Sequence, residues 1–292
     1  MPASECELTV EGTTLCVRLA GDPEGFPVVF FHGTPGSRLD LAHGDDLSVA
    51  AGVRLISFDR PGYGGSSPAP FGLTRVATIA LGLADQLGVD RFATLGFSGG
   101  GPFALSTGAV GGGRVTRIGI ASGAGPFQEV PGALEDLSEF DTEALALLPD
   151  KVAEAAAAFA SGFGPLRVAT RKGEEAIRID FAPFLSARDQ ELFSDSAVSR
   201  PFIASIREGL RRGADGGGWD NVAWVGAWDF DVATVEQEVL LWYGDEDLMA
   251  PPAHGYWLNE HLPRARLVLR PNEGHLGIFE HLGEMLLALV GE

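Results

Sequence analysis

The sequence RFATLGFSGGGP, residues 91–102, places one serine between a buried strand and the start of a helix. Its first residues form a short apolar run, which is typical of a strand buried on both faces. The run ends in Gly96-Phe97-Ser98-Gly99-Gly100, and a helical pattern begins at Pro102. A serine between glycines at such a corner is typical of a nucleophile elbow, because bulky neighbours would prevent the sharp turn. We therefore predict that Ser98 is a nucleophile; a plain glycine-rich loop is the alternative.

The length and charge of the chain limit the class of protein to which it can belong. At 292 residues it can form one large domain, or a domain with an insertion. A net charge of −19 argues against a nucleic-acid partner, because phosphate binding requires clustered Lys and Arg. No apolar run reaches the length of a membrane span, and residues 1–6 do not begin a secretory signal. These features predict a cytoplasmic protein without membrane attachment.

The two cysteines, Cys6 and Cys16, flank a predicted hairpin turn and could face each other across two strands. In a chain without a secretory signal, two reduced thiols are favoured over a disulfide. Neither cysteine has other metal-ligating residues at a useful spacing. The sequence therefore predicts no metal site.

Around the serine corner, apolar strands alternate with helical patterns. A hairpin over residues 7–19 comes first, and further strands are predicted at residues 27–31, 53–58 and 115–121. Helices are predicted at residues 40–51, 73–87 and 102–109, and strands and helices alternate again after residue 238. This alternation predicts an α/β fold with a mostly parallel, doubly wound sheet.

The alternation stops between residues 126 and 231, where the sequence predicts helices and loops rich in Phe and Trp. We interpret residues 126–231 as a helical cap inserted into a core made of residues 1–125 and 232–292. Within the cap, we expect residues 190–210 to form two helices separated at Pro201, because proline disrupts a helix interior.

A serine hydroxyl needs a base within hydrogen-bond reach, and the base needs a group that fixes its tautomer. His275 is the best base, because it follows the last predicted strand at the same sheet edge as Ser98. His32 also lies at a strand end, but a tight turn follows it and we expect it to brace that turn. The other histidines are predicted on helices. His43 lies on the helix after the first Gly-Pro loop, and three more are expected on solvated helix faces: His254, His261 and His281.

The acid is predicted on the loop after the strand at residues 239–243. Asp247 lies far enough along this loop to reach a histidine on the next loop, whereas Asp245 is close to the strand end and suits a turn. Glu129 is a weaker third candidate. We predict Asp247 as the acid, with Asp245 as the alternative.

Catalysis at a carbonyl also needs two hydrogen-bond donors for the oxyanion. The N–H of Gly99, at the helix start beside the serine, is the first predicted donor. The second is the N–H of Thr34, in the loop that follows the strand at residues 27–31. A plain turn is the alternative for this loop.

Together, these motifs resemble the α/β-hydrolase superfamily, in its cap-bearing branch of esterases, proline iminopeptidases and C–C bond hydrolases. The motifs are His32-Gly33-Thr34-Pro35-Gly36, residues 59–66 (DRPGYGGS), Gly96-Phe97-Ser98-Gly99-Gly100, Gly244 with Asp247 and Pro251, and Gly274-His275. The resemblance supports Asp247 over Asp245 and implies that residues 59–66 form a structural loop bordering the site. The chain order Ser98, Asp247, His275 is that of the superfamily.

Three positions depart from the sequence patterns of related enzymes. Ser98 stands where haloalkane dehalogenases and epoxide hydrolases of this fold have an aspartate. Thr34 and Gly99 stand where proline iminopeptidases usually have a glycine and a tryptophan. These departures argue against dehalogenase, epoxide hydrolase and peptidase activity.

The expectation is a serine hydrolase that forms an acyl-enzyme on a small to medium, largely apolar ester or lactone. It needs no cofactor and has a small-molecule substrate; the chain is a monomer or a homodimer. A C–C bond hydrolase, an aminopeptidase or a lyase with the same residues is an alternative, as is a non-catalytic small-molecule receptor.

Overall fold

A single eight-stranded sheet forms the centre of the computed structural model, which describes residues 3–291. The strands, in chain order, are β1 (Ser4–Val10), β2 (Thr13–Gly21), β3 (Phe26–Phe31), β4 (Val53–Phe58), β5 (Phe92–Phe97), β6 (Val115–Ala121), β7 (Glu238–Gly244) and β8 (Ala265–Arg270). Their spatial order is β1-β2-β4-β3-β5-β6-β7-β8. Strand β2 is antiparallel to both β1 and β4, and every other pairing is parallel. The predicted α/β class is confirmed.

The described residues also form twelve α-helices. They are α1 (Asp45–Ala50), α2 (Leu73–Gln86), α3 (Gly101–Gly111), α4 (Glu139–Leu145), α5 (Val152–Gly162), α6 (Gly164–Lys172), α7 (Glu174–Phe181), α8 (Ala187–Ser194), α9 (Ser196–Gly209), α10 (Asp215–Trp224), α11 (Pro252–His261) and α12 (Gly277–Val290). Helices α4 to α10 lie between β6 and β7 in the chain, and we call them the helical insertion. Residues 126–231, all described, contain no strand. The exact cap boundaries stay a prediction.

The central strands are buried on both faces, which explains their continuous apolar sequence. Side chains alternate between faces along a strand, so Val29 and Phe31 of β3 join one core cluster with Phe103 of α3. Val28 and Phe30 join the other cluster, which includes residues of α12. Every residue of β5 is buried. The serine corner therefore follows the most enclosed part of the sheet.

Two local expectations are wrong. Pro201 lies inside α9, and the chain breaks earlier, at Asp195, whose side chain accepts the N–H of Ala197 and caps the helix. The helix continues past the proline because its apolar face, which includes Phe202 and Ile206, is buried against the core. The helix expected at residues 40–51 is shorter, because a 3₁₀ turn (Ala42–Gly44) precedes α1.

The cysteines do not face each other. Cys6 is opposite Val17 and Cys16 is opposite Glu7, so the two thiols point to opposite faces of the β1–β2 pair. Cys6 is exposed and Cys16 is buried, and both are free thiols. The alternating direction of strand side chains thus excludes the disulfide.

Between residues 3 and 291, no helix combines the length and apolar character needed to cross a membrane. The same residues contain no group of three or more His, Cys, Asp and Glu side chains that could hold a metal ion.

Candidate active site

Ser98 occupies the corner between β5 and α3 in a conformation that L-residues rarely adopt. Its φ is +53°, in the left-handed region. A Cβ on Gly96 would lie 2.6 Å from the carbonyl oxygen of Gly100, and one on Gly100 would lie 2.1 Å from the carbonyl oxygen of Phe31. Only glycine fits at these two positions. The corner is therefore a tight strand-to-helix turn rather than a plain loop.

His275 and Asp247 lie side by side beyond the ends of β8 and β7. The Nδ1 atom of His275 is 2.9 Å from Asp247 Oδ2 and 3.0 Å from Oδ1. The same carboxylate accepts the backbone N–H groups of Met249 and Ala250, both at 2.8 Å, which fixes its orientation. Because a carboxylate accepts, His275 carries its proton on Nδ1 and leaves Nε2 as the basic nitrogen.

Both side chains are buried, with 2% of His275 and 3% of Asp247 exposed. Burial lowers the pKa of His275, but the charge and hydrogen bond of Asp247, with the charge of Asp189, outweigh it and raise the pKa above its ordinary value. The histidine is therefore a stronger base than a free imidazole.

Ser98, His275 and Thr34 line the same small cavity at the carboxyl edge of the sheet. Gly99 lies directly against Thr34, because a Cβ on Gly99 would be 2.3 Å from Thr34 Oγ1. The structure thus brings together all five residues that the sequence singled out, with Asp247 behind His275. Their chemical roles stay predictions at this point.

The alternative residues have other surroundings. Asp245 is exposed and accepts the N–H of Asn272 at 2.7 Å, so it holds the turn between two loops. Glu129 is exposed in a turn after β6. His254, expected on a solvated face, is buried instead and its Nδ1 accepts the N–H of Gly125 at 3.0 Å. The packing of α11 against the loop after β6 explains that error.

His32 braces its turn, as expected. Its Nδ1 is 2.7 Å from the carbonyl oxygen of Gly33, so Nδ1 carries the proton, and Nε2 accepts the N–H of Arg60 at 3.2 Å. Burial and the charge of Arg60 hold the pKa of His32 well below its ordinary value. Both ring nitrogens are engaged, so His32 is unsuited to act as a base.

One carboxylate of the helical insertion, missed by the sequence analysis, holds the loop of the histidine. Asp189 of α8 is buried and accepts the backbone N–H of His275 at 2.9 Å and that of Leu276 at 2.8 Å. It also forms a capping box with Ser186 at the start of α8. The Ser-x-x-Asp spacing could have predicted this cap, but not the contact with a loop 86 residues away.

A second missed carboxylate, Asp220 of α10, holds the loop of Thr34. It forms a fully buried ion pair with Arg60, with Nη2 2.5 Å from Oδ2 and Nε 2.9 Å from Oδ1. The hydroxyls of Thr34 and Tyr63 donate to the same Oδ2 at 2.5 and 2.6 Å. Arg60 also donates to the carbonyl of His32 at 2.6 Å. Residues 59–66 therefore connect the insertion to the edge of the sheet.

A larger cavity of about 510 Å³ lies under the helical insertion. It shares four lining residues with the small cavity, so the two adjoin; these residues are Thr34, Pro35, Phe181 and Met249. Much of its lining is aromatic, and comprises Phe140, Phe159, Phe163, Phe181, Phe184 and Trp224.

A mostly parallel sheet, a serine on the corner after β5 and a histidine after the last strand define the α/β-hydrolase class of fold. The sequence profile of the alpha/beta hydrolase fold matches residues 27–282. The chain belongs to this family.

Solved structures with this fold include an enol-lactonase from Burkholderia xenovorans LB400. It is 19% identical, with a TM-score of 0.69 over 98% of this chain and 100% of the other. A bromoperoxidase from Bacillus anthracis is 22% identical, with a TM-score of 0.71 over 99% and 100% of the two chains. At these identities the likeness concerns the fold alone.

A curated relative is similar over a short segment. A pimeloyl-[acyl-carrier protein] methyl ester esterase from Nitrosomonas europaea is 51% identical over 41 residues. The match spans 14% of this chain and only 16% of the esterase.

Proposed function

We propose that this protein is a serine hydrolase that forms an acyl-enzyme on a small to medium, largely apolar ester or lactone. The observation that carries the proposal is the arrangement at one cavity. Ser98 sits on a strained corner, His275 lines the same cavity, and Asp247 lies 2.9 Å behind the histidine. This is the nucleophile, base and orienting acid that acyl transfer requires.

In the proposed mechanism, Ser98 Oγ attacks the substrate carbonyl carbon and its proton passes to Nε2 of His275. Asp247 holds the imidazole and stabilises the imidazolium, and the N–H groups of Thr34 and Gly99 stabilise the oxyanion. The intermediate collapses, His275 returns the proton to the departing alcohol, and the acyl group stays on Ser98. Water, activated by the same histidine, then attacks the acyl-enzyme and releases the acid.

The aromatic lining of the 510 Å³ cavity supports an apolar substrate, because it offers a ligand mainly hydrophobic contact. The esterase and the enol-lactonase among the similar proteins agree with this class, although each name describes that protein only. C–C bond cleavage, peptide cleavage or a lyase step with the same residues is the alternative. A panel of p-nitrophenyl esters, lactones and aminoacyl amides separates ester and lactone cleavage from peptide cleavage by their products. A cytoplasmic location and a monomeric or dimeric state stay predictions from the sequence.

A fluorophosphonate probe tests the reaction class. We expect the folded protein to be labelled at neutral pH and to lose labelling in the Ser98→Ala variant. Ser122→Ala is the matched control, because Ser122 also has a positive φ, of +49°, after the adjacent strand β6. Labelling that survives in Ser98→Ala, or its absence in the folded wild-type protein, would contradict the proposal.

A further inference from the structure

Asp40 is a buried carboxylate beside the proposed catalytic residues, and the proposed mechanism does not use it. It is 3% exposed and lines the same small cavity as Ser98 and His275. Among the described residues, its hydrogen-bond donors are two neutral groups, the N–H of Gly33 at 2.8 Å on Oδ2 and the hydroxyl of Ser205 on Oδ1. Burying a carboxylate that is bonded only to neutral groups is costly, and such groups are concentrated at functional sites.

The carboxylate of Asp40 is an acceptor at neutral pH. Burial raises the pKa of Asp40 to about 6, while the hydrogen bonds from Ser205 and Gly33 and the charge of Arg60 oppose the rise. The group is therefore mainly ionised at neutral pH and accepts both donors at once, one on each oxygen. An asparagine in its place would offer only one acceptor oxygen.

Asp40 fixes one end of Gly33, the residue before the proposed oxyanion donor Thr34. The other end is also fixed, because His32 Nδ1 and Arg60 Nη2 donate to the carbonyl oxygen of Gly33 at 2.7 and 3.2 Å. The peptide bond between Gly33 and Thr34 is trans, so the N–H of Thr34 points away from that carbonyl. This N–H donates to no backbone carbonyl of the described residues, which leaves it for the oxyanion of the proposed mechanism.

Gly33 needs anchors at both ends because glycine has the widest backbone freedom. A less flexible residue would be crowded here, since a Cβ on Gly33 would lie 3.2 Å from the ring of Phe97. The same Cβ would lie 3.6 Å from the Cβ of Ser98, so Gly33 packs against the proposed nucleophile. A shift of Gly33 would therefore move the N–H of Thr34 relative to Ser98.

We propose that Asp40 is a positioning residue for the oxyanion, because through the N–H of Gly33 it sets the direction of the N–H of Thr34. The inference rests on the proposed hydrolase function, in which Thr34 supplies one of the two oxyanion donors. Asp40 touches no reacting atom in this scheme and acts only through the backbone of Gly33.

Hydrolysis of p-nitrophenyl butyrate by Asp40 variants tests this role. Asp40→Leu keeps the branched shape of the side chain and removes its acceptors. We expect kcat to fall about 10²–10³-fold with little change in KM, which is the loss typical of one oxyanion donor. Asp40→Asn keeps one acceptor oxygen for the N–H of Gly33 and should recover about 10-fold of that loss, as one net hydrogen bond allows.

Ser205→Ala is the matched control for a structural role. Ser205 donates to the same carboxylate and accepts the N–H of Ser37 at 2.8 Å, so it joins the helical insertion to this loop. Its replacement leaves the bond between Asp40 and the N–H of Gly33 intact. We therefore expect a near-normal kcat in Ser205→Ala, even where urea denaturation shows a loss of stability.

A trifluoromethyl ketone bound to Ser98 gives a readout that a purely structural role would not change. Its hemiketal oxygen occupies the position of the oxyanion, and hydrogen-bond donors at that position lower the pKa of the hemiketal. Titration followed by fluorine NMR should show a higher hemiketal pKa in Asp40→Leu than in the wild-type protein and in Ser205→Ala.

Equal hemiketal pKa values in Asp40→Leu and the wild-type protein would overturn the positioning role, as would equal losses of kcat in Asp40→Leu and Ser205→Ala. If Asp40→Leu does not fold, Asp40→Ser, whose side chain is one bond shorter than that of aspartate, makes the same comparisons. If Ser98→Ala still hydrolyses the ester, the proposed function fails instead. An inactive Ser98→Ala together with an unchanged kcat in Asp40→Leu rejects only the positioning role.

Discussion

The carboxyl edge of the sheet and the helical insertion contribute to the site by different means. At the sheet edge, the proposed catalytic residues follow the ends of parallel strands, and their place depends on short backbone motifs. The insertion contributes side chains, Asp189 and Asp220, that reach across more than 80 residues of chain to hold those same loops. The sheet edge therefore carries the proposed chemistry, and the insertion holds it in position.

A substitution at the sheet edge should have the largest single effect on the rate. Asp247→Asn removes the carboxylate that fixes the His275 tautomer, and we expect kcat for ester hydrolysis to fall about 10⁴-fold. Asp245→Asn is the matched control and should keep a near-normal rate, because Asp245 holds only a surface turn. The reverse pattern would transfer the orienting role to Asp245.

A substitution in the helical insertion should have the largest effect on the free energy of unfolding. Asp220→Asn leaves the fully buried charge of Arg60 without its carboxylate, and we expect the free energy of unfolding to fall by about 3–5 kcal/mol. Urea denaturation measures this loss. The double variant Arg60→Met with Asp220→Leu should be less destabilised than Asp220→Asn, because it leaves no unpaired charge. A change below about 1 kcal/mol in Asp220→Asn would mean that the pair does little to hold the two regions together.

Disrupting the contact between the two loops that carry the proposed oxyanion donors should lower the rate less than Asp247→Asn does. In Gly99→Ala, the new methyl group would lie 2.3 Å from Thr34 Oγ1, and Asp220 keeps Thr34 from moving away. We expect the donors to separate and kcat to fall about 10²–10³-fold. Gly113→Ala, on an exposed turn with nothing within 4 Å of its Cβ, is the control for glycine replacement. An unchanged kcat in Gly99→Ala would argue against these oxyanion donors.

The helical insertion should influence the proposed base, His275, and removing that influence should shift the pH dependence of kcat/KM slightly. The rate requires neutral His275, so kcat/KM should rise with pH through a pKa above the ordinary histidine value. The charge of Asp189 contributes to that raised pKa, so Asp189→Asn should move the rise to lower pH, by less than about one unit.

Glu191→Gln is the control for this shift, because it removes a charge from an exposed position on the same helix. A pH profile that stays in place while kcat falls would limit Asp189 to a structural role.

The sequence predicted the sheet and the five candidate residues because each depends on local rules. The corner at Ser98 requires glycine at position 96 because of its own turn, where a Cβ would lie 2.6 Å from the carbonyl oxygen of Gly100. Residues that follow parallel strands meet at one edge of the sheet. The contacts of Asp189 and Asp220 depend instead on how the insertion packs on the core. No spacing in the sequence specifies that packing. His254 was wrongly placed in solvent for the same reason, since only the tertiary structure covers its helix.

Asp189 also bears on how separable the two regions are. Exchanging the insertion for helices from another protein is an obvious way to change the substrate. Such a graft would remove the acceptor for two backbone N–H groups in the loop that carries His275. Substrate range and reactivity are therefore not independent modules in this chain, and a working graft must bring a carboxylate to the same place.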